Sequence, residues 1–153
     1  MSHRILLLVS VIGVIIVLGL ALSNRSDKNE NSVLSAPIEN QPAFEPMTSS
    51  DGGVEIIVRP TNLSSGSPTW SFEVSLSTHS VELSEDMVAV SKLVLDSGET
   101  LNPLAWEGDP PGGHHRGGIL TFAAAPTTLP LSVTLKILKI GGVPEREFKW
   151  NIK

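Results

Sequence analysis

The chain has 153 residues, eleven Lys and Arg against sixteen Asp and Glu, and no cysteine. It carries no basic cluster of the kind a phosphate backbone demands, so nucleic acid is not expected as a partner. The missing cysteine removes disulfides, thiolate metal sites, a cysteine nucleophile and a lipid-modified cysteine anchor.

In chain order, residues 1–4 are a short tail with His3 and Arg4, followed by an uncharged run, ILLLVSVIGVIIVLGLAL, over 5–22. As a helix rising about 1.5 Å per residue, this run is roughly 27 Å long, close to the ~30 Å hydrocarbon core of a bilayer. It has no polar face to turn to water, so a transmembrane anchor is expected. The run exceeds the usual apolar stretch of a secretory signal. Ala21-Leu22-Ser23 nevertheless offers a cleavage site, and a cleaved signal with a secreted product is the alternative. Arg4 on one flank is matched by Arg25 and Lys28 on the other, so charge alone does not set orientation. A short leader before an apolar run favours export, which places the remainder outside the cytoplasmic membrane.

Residues 23–52 are rich in Ser, Asn, Glu and Pro, with apolar residues at no steady period. Such a stretch buries too little apolar surface to offset chain entropy, and a flexible tether is expected, about 30 Å in mean span, with Phe44 and Met47 able to dock onto the domain edge as the alternative at its end.

From 53 to 153 the pattern is β. In TWSFEVSLST, Trp70, Phe72, Val74 and Leu76 alternate with Ser71, Glu73, Ser75 and Ser77, the mark of a half-buried antiparallel strand. LSVTLKI places Leu131, Val133, Leu135 and Ile137 inward, and a phase shift to Leu138 and Ile140 predicts a bulge. REFKWNIK aligns Phe148, Trp150 and Ile152, and IGGVPE before it has the residues of a hairpin turn. Segments 54–59, 87–95, 99–106 and 118–123 complete about seven strands, with Ser84-Glu85-Asp86 able to cap one short helical turn. The expected fold is an all-β, immunoglobulin-like β-sandwich of antiparallel strands, with a small closed barrel as the alternative.

The candidate site is GDPPGGHHRGG, residues 108–118. Its Pro pair and glycines define a turn, so His114, His115 and Arg116 should ride on ordered backbone. His79, at the end of the TWSFEVSLST strand and on its outer face, could meet one of them at a pole of the sandwich. With Asp86, Glu107 or Asp109 as oxygen donor, such a set would suit Zn²⁺ or Cu²⁺. The plainer expectation is that a histidine pins the turn by hydrogen-bonding its carbonyls. Arg116 with the glycine amides could also cradle an anion. Ser80 beside His79 makes no nucleophile–base pair, Glu85-Asp86 reads as a solvated turn, and no catalytic triad spacing is present. Trp70 and Trp150 read as core, and Trp106 as a prop for the loop.

THSV (78–81), L-x-x-D-M (83–87) and L-x-W-E-G-D-P-P-G-G-H-H-R-G-G-I-L-T-F (104–122) together resemble a family of uncharacterised prokaryotic exported or membrane-tethered domains. That resemblance implies a small β-rich module at the cell envelope and transfers no catalytic residue. The functional expectation is a non-enzymatic, membrane-anchored extracytoplasmic binding module that binds a transition metal through His79, His114 and His115. The alternative is a structural or protein-interaction domain partnering another envelope protein, its histidines bracing a loop.

Overall fold

A computed structural model describes residues 44–125 and 129–152. The expected anchor over 5–22 and most of the expected tether lie outside these residues. The described chain is all-β, with nine strands in two antiparallel sheets.

Five strands build the first sheet: β1 (Met47–Asp51), β2 (Val54–Asn62), β3 (Thr69–Thr78), β7 (His115–Ala123) and β6 (Pro103–Gly108), in that spatial order. Four build the second: β5 (Thr100–Leu101), β4 (Ser91–Leu95), β8 (Ser132–Leu138) and β9 (Glu145–Asn151). Alternation decides which side chains lie between them. Val54, Ile56 and Val58 of β2, the even-numbered residues 70–76 of β3, and Leu120 and Phe122 of β7 are buried. Val133, Leu135 and Ile137 of β8 and Phe148 and Trp150 of β9 close the core from the other sheet. Phe72 links the layers, meeting Phe122 edge-on and Trp150 at a tilt, each at 5.7 Å between centroids.

Four local expectations change. The ordered sheet begins before residue 53: β1 is a polar edge strand paired with β2 from Met47↔Val58 to Asp51↔Val54. Gly52 and Gly53, with φ of 57° and 72°, make the two-residue hairpin turn between them. Segment 87–95 divides into a one-turn helix α1 (Met87–Val90), capped by the Asp86 carboxylate on the Val88 N–H, and then β4. Segment 99–106 divides between the sheets, because β5 pairs with β4 and β6 pairs with β7. No bulge follows Ile137. The β8–β9 register runs unbroken to Leu138↔Glu145, and the phase changes because the strand stops at Lys139, whose φ is 66°. Ile140, in the 3₁₀ turn Ile140–Gly142 that follows, packs into the core.

Register gives the sandwich two distinct ends. At one lie the turn 51–53, the connection 79–86, the loop 109–114 and the turn 139–143. At the other lie Phe44, the loop 62–69, the turn 96–99, residues 124–125 and 129–131, and Ile152. The Trp150 indole N–H donates to the Glu45 carbonyl at 2.9 Å, tying the entering chain to the leaving one.

Candidate functional site

The glycine-rich stretch is built at the first end, and its physical centre is Arg116. β7 begins at His115, three residues earlier than the apolar pattern indicates. Arg116 pairs with Leu76 and falls in phase with Gly118, Leu120 and Phe122, which points it between the sheets. It is 2% exposed. A buried guanidinium must recover its lost hydration through hydrogen bonds. Here it donates to the Leu83 carbonyl at 3.0 Å, the Glu85 carbonyl at 2.7 Å and, more weakly, the Asp109 carbonyl at 3.4 Å. Its carbon centre lies 5.9 Å from the centroid of the half-buried Trp106 ring, a cation–π contact. Trp106 props the loop as expected, with its indole N–H on the Asp109 carbonyl at 2.9 Å.

Backbone bonds complete the frame. Leu83 donates to the Gly113 carbonyl at 3.0 Å and accepts from the Gly112 N–H at 2.8 Å. The Thr78 N–H donates to the His114 carbonyl, and the Asp109 N–H to the Gly117 carbonyl, each at 3.0 Å. The Asp109 carboxylate accepts from the Gly117 N–H at 2.8 Å, so this acid is part of the turn. Glycine is required at 118, where an added Cβ would stand 2.7 Å from the Glu107 carbonyl oxygen, the Gly108 Cα and the Trp106 ring.

A second buried arginine secures the neighbouring turns. Arg146, 3% exposed, donates to the Ile140 carbonyl and to the Asp51 carbonyl, both at 2.7 Å. Burial holds its guanidinium below the ordinary arginine value, with the Asp51 charge opposing that shift.

His79, His114 and His115 all reach this end, since His115 pairs with Ser77 and the His114 carbonyl meets Thr78. All three side chains are exposed. Among the described residues no three His, Cys, Asp or Glu side chains are grouped to hold a metal ion. Extended backbone separates His115 from buried Arg116, Asp86 is committed to capping α1, and Asp109 to the Gly117 amide. Glu107 pairs with Ile119 on the outer face of β6. No histidine side chain makes a hydrogen bond among the described residues, so the brace is Arg116 instead. The anion cradle is also displaced, because the guanidinium is occupied by carbonyls and turned inward. One sequence signal could have found this: Arg116 falls in phase with Leu120 and Phe122.

A separate shallow hollow of about 190 Å³ lies on the outer face of β2 and β3, lined by Ile57, Arg59, Glu73 and Ser75. It opens on the same outer face as His115, which pairs with Ser77 two residues along β3 from Ser75, and its lining brings no catalytic constellation together.

No family model matches the chain, and no curated protein matches it. Among solved structures it is similar to a DUF4426 family protein from Pseudomonas aeruginosa PAO1, with 12% identity and a TM-score of 0.39, over 69% of this chain and 91% of that one. A likeness of that extent carries no argument about activity, and it leaves the THSV and GGHH signature aside.

Proposed function

We propose that the chain is a non-enzymatic, membrane-anchored extracytoplasmic module that presents the glycine-rich end of its sandwich to a protein partner. One observation carries this reading. The described chain enters and leaves at one end, while three glycine-pair turns form the opposite end and are held by two buried arginines. The pairs Gly52-Gly53, Gly112-Gly113 and Gly141-Gly142 all have positive φ. Loops fixed on a rigid scaffold are where binding sites concentrate, and fixing them beforehand lowers the ordering entropy lost on association. The exposed His79, His114 and His115 are then contact residues. The uncharged run 5–22 supports the anchoring half of the reading.

The test is a photo-crosslinking residue placed at Pro111 or His114 of the full chain in its native membranes, with Lys92 as the control position. A defined adduct from the first two, absent from the third, should identify a protein. That protein should then bind the purified chain and lose at least tenfold in affinity when His114 and His115 are both replaced by Ala. Equal adducts from all three positions, or unchanged affinity, would overturn the proposal. Stoichiometric uptake of Zn²⁺ or Cu²⁺ that depends on His79 would replace it with a metal-binding role.

A further inference from the structure

We infer that the opposite end of the sandwich, marked by Leu104 and Leu131, docks on an uncharged lipid surface; this rests on the anchored reading above. Three large apolar side chains are exposed among the described residues: Ile57 at 37%, Leu104 at 62% and Leu131 at 61%. Two of them are at one end. Leu104 is the bulged residue at the start of β6, between Pro103 paired with Phe122 and Ala105 paired with Thr121. Leu131, expected inward from the alternation of LSVTLKI, instead precedes β8 and faces outward, its N–H held by the Asp96 carboxylate at 3.1 Å and its carbonyl by the Ile152 N–H at 2.8 Å. Both side chains are therefore held outward by fixed backbone. Beside them Ala124, Ala125 and Leu129 are half-buried against the core, which widens the apolar surface.

This is also the end at which Phe44 joins the sandwich to the sequence that precedes it. Only residues 23–43 separate the apolar run 5–22 from Phe44. Even fully extended, so short a segment reaches no more than about 75 Å, so an anchored chain keeps this end near the membrane surface and raises its effective concentration there. Apolar contacts too weak to recruit a free protein are enough under that constraint. Charge selects the lipid. The described segments 44–46, 62–69, 96–102, 124–125, 129–131 and 152 contain Glu45, Asp96 and Glu99, and Lys153 is the one basic residue next to them in sequence. Anionic headgroups would repel this end, and zwitterionic ones would not. Docking there leaves the glycine-rich end facing away from the bilayer.

The absence of native cysteine permits a direct test. The full chain is reconstituted in phosphatidylcholine vesicles with an environment-sensitive fluorophore on either Ala123→Cys, at the leucine end, or Ser80→Cys, at the glycine end. Both positions are exposed. Nitroxide-bearing lipids should quench the label at 123 at least threefold more than the label at 80. Replacing Leu104 and Leu131 together by Ser, a surface change that leaves the core intact, should remove that difference. Equal quenching in the parent chain, quenching at 123 that needs anionic lipid, or cross-linking of Ala123→Cys between copies without quenching would each overturn the inference. Release of the protein from the vesicles by alkaline carbonate would overturn the anchored reading itself, and the docking with it.

Discussion

Arg116 occupies an inward position on β7 that Leu or Val would fill in an ordinary strand, and it converts three carbonyls of neighbouring segments into one fixed point. Hydrogen bonds to a charged group contribute about 1.5–3 kcal/mol each, and two of the three are short. Arg116→Met is therefore expected to cost about 3–5 kcal/mol in urea unfolding, and Arg116→Lys to recover little, because an ammonium lacks the planar fork and the stacking on Trp106. His79→Ala should change stability by less than about 0.5 kcal/mol, as expected of an exposed side chain without partners. A larger loss at His79 than at Arg116 would reverse the assignment of the brace. Gly118→Ala should cost about 2 kcal/mol or more, since the atoms in the way are mainly backbone. The position of the loop was legible in the sequence, and so was the propping role of Trp106. Arg116 was read as part of the loop, and its inward place on β7 was missed because a charged residue breaks the visual pattern of a strand. Its phase with Leu120 and Phe122 was nonetheless regular.

At the scale of elements, clean alternation was the reliable signal. TWSFEVSLST became β3, and the burial of its even-numbered residues follows the reading residue for residue. Segments that mix periods were read less well. MVAVSKLVL is apolar enough for one long strand, yet Asp86 starts a helical turn that buries Met87 before β4 begins. MTSSD gave no strand pattern, only Met47 as a residue able to dock on the domain edge, because an edge strand lying against only one neighbour needs few apolar residues. The β8–β9 hairpin adds an electrostatic element: Lys136 sits 2.7 Å from both Glu145 and Glu147 on the outer face. Hydrogen bonding to Glu145 first, and then to Glu147, raises the Lys136 ammonium above its ordinary value. The bond to Lys136 holds the Glu147 carboxyl below its own. A depressed carboxylate stabilises the fold above its unfolded value and loses that contribution as pH falls through the folded one. The Glu147 contribution should therefore be fully present at neutral pH, begin to fall below the ordinary Glu range near pH 4, and disappear only as pH drops through the lower folded value. Comparing acid unfolding of the parent with Lys136→Met should show a small difference at pH 7 that narrows steadily as pH falls below about 4. A difference that does not narrow on acidification would assign the effect to packing. Because the pair is exposed, salt should shrink it at any pH.

For the whole molecule, the two ends of the sandwich divide the work. The end carrying Phe44, Leu104 and Leu131 is inferred to meet lipid, and the end carrying the glycine pairs is proposed to meet a partner. Two-sheet architecture was legible from the strand count and turn spacing. The division into ends depended on register, which no local pattern states. The core between the sheets should make residues 44–152 melt as one unit, and Trp70→Ala should cost about 3–5 kcal/mol, the usual loss for a buried aromatic ring. A loss below about 1 kcal/mol would mean that ring is not core.

Whether the glycine-rich end is a braced, preorganised surface is read residue by residue from amide hydrogen exchange. The amides of Thr78, Leu83, Asp109, Gly112 and Gly117 all have acceptors there. In the parent protein they should exchange at least a hundredfold more slowly than an unstructured chain, and in Arg116→Met those of Leu83 and Gly112 should lose most of that protection while the β3–β7 ladder keeps its own. Fast exchange at Leu83 and Gly112 in the parent, or protection unchanged when Arg116 is removed, would contradict it.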